Sequence, residues 1–165
     1  MSDDSEAPRW TLPPRRQISP DNLHLSSFVI VKKRAGGGGG EAILLLRAGD
    51  KHPLTFRRGK LVLPAIILEY GEKPRQGARR ALKAQLQDPA HLKDPVFSDM
   101  QSYFGAHWDI VFLFEAWLEE GAPDPRPREP YVQATFHDIG RLPRREMSED
   151  HLEVIDAMLN PAEDG

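Results

Sequence analysis

The chain contains no cysteine. Disulfides, thiolate nucleophiles and cysteine-ligated zinc are therefore excluded, and the composition is compatible with a reducing compartment. It also lacks any apolar run approaching the roughly 20 residues that a membrane-spanning helix needs. Its first residues, Met1-Ser2-Asp3-Asp4-Ser5-Glu6, are acidic and include no apolar signal segment. The expectations are a cytoplasmic location and no membrane partner. A large excess of acidic or basic residues is missing too. Lys and Arg number 22 against 25 Asp and Glu, for a net charge of -3. No global basic field advertises nucleic acid, so nucleic acid is not an expected partner. What is present is ordinary for a globular protein, with 39% hydrophobic and 28% charged residues in 165. That length supports one domain with a real core, plus tails.

Residues 1–22 are polar and proline-rich (Pro8, Pro13, Pro14, Pro20) and read as a flexible arm, with Trp10 as a residue able to pin it to the domain or to a partner. The domain is expected over 23–160, with a tail at 161–165. A first strand is expected over 25–33 and a second over 42–47, separated by five consecutive glycines at 36–40. Because a strand and not a helix follows the glycines, they read as a hairpin loop rather than a phosphate cradle. Residues 61–68 read as strand broken at Pro64. A helix follows from about Pro74, suited to a first helical position, to about Gln87, where Asp88-Pro89 stops it. Two antiparallel strands are expected over 97–104 and 108–118, the second apolar on both faces at its centre and so covered on both sides. A last strand over 131–136 and a final helix complete the order. That helix is expected to be capped by Ser148 and to bury Leu152, Ile155 and Leu159.

The most informative stretch is 59–88. It contains Leu63-Pro64, Gly71-Glu72, Arg80 and Leu82 at the spacing of the Nudix box, roughly G-x5-E-x7-R-E-U-x-E-E-x-G-U with U aliphatic, usually preceded by a Leu-Pro-Gly-Gly turn. The chain resembles the Nudix hydrolase superfamily on this frame and on the order of its elements over about 24–160. The resemblance implies an α/β fold, a Nudix-like α/β/α sandwich with a mixed sheet between helices. In the family the box carboxylates hold Mg²⁺ for cleavage of nucleoside diphosphates linked to other groups. Here their positions hold Ala81, Ala84 and Gln85, the Gly-Gly pair is Ala65-Ile66, and the closing glycine is Gln87. Mg²⁺ requires oxygen ligands, usually carboxylates. Two methyl groups and a neutral amide do not supply them, so no metal ligand, no catalytic residue and no cofactor is expected, and hydrolysis of the standard kind is expected to be lost.

The box helix and its lead-in are instead cationic, through Lys73, Arg75, Arg79, Arg80 and Lys83. An anion such as phosphate can be held by Arg or Lys directly, while an exposed basic helix is also commonly just a solvated face. The residues expected to meet a ligand are Arg57, Arg58, Glu72, Arg80 and Gln85. Arg57 and Arg58 lie before Gly59, where the family's cleft opens. Glu72 is the surviving box acid, and reads either as a lone ligand or as a favourable charge at the helix start. Arg80 has Glu72 or Glu69 as its expected partner. The acids Glu115, Glu119 and Glu120 read as a distant metal ligand or as a solvated strand end, and His107 and Asp109, two apart on one strand face, as a pair that orients a ligand or as a surface pair, while His24, His52, His91, His137 and His151 show no metal-ligand spacing with one another. The functional expectation is a module that binds a nucleotide-like or phosphate-bearing small molecule, or a protein partner through the arm or the box helix. The alternative is a divergent hydrolase that recruits Mg²⁺ with Glu69, Glu72 and an acid from 115–129.

Overall fold

The computed structural model describes residues 23–37, 39–104 and 107–161. The arm at 1–22 with Trp10, and the last four residues, lie outside the described residues. Seven strands form one mixed sheet: β1 (Leu23–Arg34), β2 (Glu41–Ala48), β3 (Leu61–Val62), β4 (Ala65–Ile67), β5 (Val96–Phe104), β6 (Trp108–Trp117) and β7 (Tyr131–Asp138). Two helices, α1 (Pro74–Gln85) and α2 (Glu149–Leu159), accompany them. β1 is the hub. Along one edge it runs parallel to β6, from Leu23 opposite Trp108 to Lys32 opposite Trp117. Along the other it pairs with β2 only over Lys32 to Arg34, then with β4 over Ser26 to Phe28. β2 in turn pairs with β3 at Leu46 and Arg47. The two long strands thus part as a fork, and the segment from Leu61 to Ile67 crosses it, with Pro64 at the crossing. The glycine run joins β1 to β2 as the expected hairpin, closed by Ala35 N–H donating to Gly40 O at 2.9 Å.

Alternation along the strands gives two cores. Val29, Val31, Leu44, Leu46, Val62, Phe114 and Ala116 face Ala78, Leu82 and Leu86 of the α1 segment. Phe28, Ile30, Ile43, Leu45, Val111 and Leu113 face Met147, Val154 and Ile155 at α2. The sheet is covered on both faces, as the pattern of β6 predicts.

Both helices depart from expectation at their ends. α1 stops at Gln85, because Leu86 turns to extended geometry and bridges to Pro127. The cap of α1 is Lys73, whose backbone N–H donates to the Gln76 side chain at 3.1 Å, so Glu72 sits one residue outside the helix. Ser148 is the N-cap of α2, yet its hydroxyl bonds Asp150 Oδ1 instead of a helix N–H. Of the three residues expected on the buried face of α2, Ile155 is buried and Leu152 packs partly buried against the same core, but Leu159 is 37% exposed, and the face is rotated to take in His151 and Val154. The rotation follows from the docking of the helix. Ser148 N–H donates to Leu61 O at 2.9 Å, and His151 Nδ1 accepts from Leu63 N–H at 2.9 Å, which turns position 151 inward.

On the opposite face the Gln85 side chain makes a two-bond pair with the backbone of Ala65: Oε1 accepts from N–H at 3.2 Å and Nε2 donates to the carbonyl at 2.7 Å. Gln85→Ala leaves both groups without a partner in a half-buried segment. It should lower the unfolding free energy by about 2–3 kcal/mol, whereas Lys83→Ala on the exposed side of the same helix should change it by less than about 0.5 kcal/mol. Urea denaturation of the two variants checks this.

His151 is buried against Phe28 beside Asp150 and Arg57, and burial, with the Arg57 guanidinium, pushes its pKa down to about 3 against the attraction of Asp150. The folded state therefore holds it neutral, while the unfolded chain protonates it near its ordinary value. The stabilisation is complete above about pH 6.5 and is lost progressively as pH falls from there towards about 3. Between pH 7 and 5.5, before most carboxylates titrate, unfolding should become easier by about 1 kcal/mol from this group. His151→Asn keeps an acceptor for Leu63 N–H and removes the titration. The pH slope of its thermal midpoint over that window should be flatter than that of the wild type.

Candidate functional site

Two places bear on function, one on each side of β4. The first is the box helix. Of the three positions expected to carry metal ligands, Ala81 is fully buried in the helix–sheet packing, Ala84 is exposed, and the Gln85 amide is committed to Ala65. The surviving acid is committed as well. Glu72 takes a bidentate pair from Arg80, with Nε and Nη2 both at 2.8 Å, and accepts from Glu69 N–H at 3.1 Å. The Arg80 hydrogen bonds hold the Glu72 carboxyl below its ordinary range, and they raise Arg80 in return. Arg80 also donates to Ile67 O at 2.9 Å, and its Nη1 lies 3.8 Å from Glu69. The partner expected for Arg80 is the one found. Of the other helix cations, Arg79 is paired bidentately with Asp94 at 2.7 Å.

Divalent-ion chemistry needs several hard oxygens converging on one point. Among the described residues no group of three or more His, Asp or Glu is placed to hold a metal ion. The late acids are dispersed: Glu115 pairs with Lys32 at 2.8 Å, and Glu119 lies 3.8 Å from His91. The residues present therefore do not fit the metal that the resemblance brings with it.

The second place is a cavity of about 260 Å³ on the α2 side, walled by the β4 residues Ala65, Ile66 and Ile67 that replace and follow the family's glycine pair. Phe28, Val111 and Val154 give it an apolar lining, and Tyr103 stands at the β5 side with its hydroxyl donated to Gln101. Burial, with Glu153 and Asp99 nearby, pushes the Tyr103 phenol up to about 12. His24 and Asp109 face each other at 3.3 Å, opposite in the β1–β6 register, so Asp109 pairs with His24 and not with His107.

The polar wall is Arg57, Asp150 and His151. Arg57 Nη2 bonds Asp150 Oδ2, and Asp150 Oδ1 accepts from Ser148. Burial works against the Asp150 charge, but the Ser148 hydroxyl and the Arg57 guanidinium outweigh it and keep the carboxyl below its ordinary range. Because His151 Nδ1 accepts from Leu63, the proton of the neutral ring sits on Nε2. That Nε2 lies 3.9 Å from Asp150 Oδ2, too far for a hydrogen bond, and it is buried with no partner. Arg57 Nε is in the same condition. Buried donors without acceptors are rare in folded proteins, and here two belong to residues that line one cavity.

The five residues singled out from the sequence thus fall apart spatially. Glu72, Arg80 and Gln85 brace the helix side of β4. Arg57 lines the cavity. Arg58 is exposed, with its Nε donated to His52 O at 2.9 Å. The sequence reading missed His151, Asp150 and Tyr103. One signal was available for His151, since it shares the i, i+3, i+4 stripe of Val154 and Ile155.

No protein-family model and no curated protein sequence matches the chain. Solved structures do. A Nudix hydrolase from M. smegmatis, RenU, is similar over 83% of this chain and 84% of its own, with a TM-score of 0.62 and 16% identity. The Nudix domain of Shewanella oneidensis NrtR, in complex with ADP-ribose, is similar over 86% and 92%, with a TM-score of 0.60 and 14% identity. A C. elegans Ap4A hydrolase binary complex matches over 82% and 95%, with a TM-score of 0.59 and 13% identity. At such identities the likeness is one of architecture, and it agrees with the fork, the two-sided sheet and the box helix: this chain has the Nudix fold.

Proposed function

We propose that the protein binds a nucleotide-like small molecule in the β4 cavity and does not hydrolyse it. The observation that carries this reading is the pair of buried, unanswered donors, His151 Nε2–H and Arg57 Nε–H, in one cavity with an apolar lining. A ligand with a flat, apolar body and hydrogen-bond acceptors on its edge answers both, and a phosphate-bearing tail finds Arg58, exposed and next in the chain to Arg57. The fold is compatible with such a ligand, since the similar Nudix domain of NrtR was solved with ADP-ribose and another neighbour is an Ap4A hydrolase. The absence of turnover follows from the box positions, where Ala81 and Ala84 have no ligand atoms and Glu72 and Gln85 are engaged in the protein's own hydrogen bonds. One carboxylate already held by an arginine makes a poor Mg²⁺ site.

Calorimetric titration with ADP-ribose as the probe tests the binding half. The expected result is affinity unchanged by Mg²⁺ or EDTA and weakened about tenfold or more in Arg57→Gln, the loss of about 1.4 kcal/mol that one hydrogen bond from a charged group provides. Unchanged affinity in that variant moves the ligand elsewhere. The hydrolytic half is tested by product analysis with ADP-ribose and dinucleoside polyphosphates in Mg²⁺ and Mn²⁺. No cleavage is expected, and metal-dependent turnover that disappears in Glu72→Gln refutes the reading.

A further inference from the structure

β5 ends the sheet. Among the described residues its backbone pairs with β6 alone, so no strand lies along its outer side; Met100 N–H is answered locally, by Asp99 Oδ1 at 2.8 Å. Natural sheets protect such edges with lysine, proline or short strand length. β5 has nine residues, Val-Phe-Ser-Asp-Met-Gln-Ser-Tyr-Phe, with no lysine, arginine or proline and one charge, Asp99. A bulge between Phe97 and Asp99 interrupts it, and the run from Asp99 to Phe104 is regular.

Its side chains add a second departure. Phe97, Met100 and Phe104 are 51%, 56% and 82% exposed. The register sets them beside Phe114, Phe112 and Trp108 of β6, so all three lie on the α1 face of the sheet. α1 does not reach that far, and Trp108, Ile110 and Phe112 remain only half-buried. Phe104 stacks on Trp108 at 5.4 Å, and the Trp108 indole donates to Ser102 Oγ at 2.7 Å, which holds the stripe flat. A contiguous apolar stripe beside an unpaired edge marks an interaction surface.

We propose that the occupant is a second copy of this chain, whose β5 pairs antiparallel with β5 across a two-fold axis. The charge pattern favours this partner. A strand with one charge can pair with itself in any antiparallel register not centred on Asp99 without setting like charges opposite each other. The symmetric arrangement also answers both deficits at once. It pairs the outer backbone groups and lays the two apolar stripes side by side as one face of a continuous sheet, and an isologous contact of this kind closes at the dimer. The inference is independent of what the β4 cavity holds.

Sedimentation velocity of the full chain at high micromolar concentration should give twice the 18.6 kDa of a single chain. Met100→Lys with Phe104→Lys, both at exposed positions, should give the single-chain mass with an unchanged circular dichroism spectrum. Because the chain has no cysteine, one introduced at Ser98, Met100 or Ser102 is the only thiol. Mild oxidation should link two chains at the position nearest the axis. A wild type that sediments as a single chain overturns the proposal. So does a dimer that survives the two lysines and cross-links at none of the three positions.

Discussion

The segment 61–68 has to cross a gap between diverging strands, where no single neighbour can satisfy its backbone. Each polar group therefore finds a separate partner. Leu61 O accepts from Ser148, Leu63 N–H donates to His151, and Pro64 O accepts from Val29. Ala65 is answered twice by Gln85, Ile67 O by Arg80, and Leu68 N–H by Leu25 O. Buried peptide groups left unpaired are costly, and this crossing stays buried only because both helices and β1 reach into it. The positions of the helices are consequences of that requirement as much as of their apolar faces.

This arrangement separates what α1 does from what α2 does. Residues of α1 that point at the crossing brace it and are saturated in doing so. Residues of α2 brace it with one atom of His151 and leave the other toward the cavity. The unanswered donors thus lie on the α2 side of β4, whereas the α1 side has its polar groups engaged. The proposed loss of hydrolysis and the proposed ligand cavity are thus two readings of one division of labour.

The order of elements was legible in the sequence because strands of period two and the apolar rows of the helices carry it locally. Pro64, Pro74 and Asp88-Pro89 marked the turns and ends to within two residues. The pairing of β1 with β6, more than 80 residues apart, was not legible, since periodicity records which face a residue takes and not which strand lies beside it. The same limit applies to the site. Arg80 and Glu72 fall within one local motif, so their pairing could be expected. Arg57, His151 and Tyr103 come from three distant segments and meet only through the tertiary fold. Ser148 takes the expected N-cap position, but Asp150, two residues on, draws its hydroxyl away from the helix N–H groups.

The Gln85 amide also restricts what can stand at its own position. At most helix positions the exchange of glutamine for glutamate is a near-neutral step. Here the Nε2 donor faces the Ala65 carbonyl at 2.7 Å, and an acid would set two oxygens against each other at that distance. An ionised acid at position 85 is therefore disfavoured for as long as the crossing keeps this conformation, and a change there has to be accompanied by a change in the segment it holds.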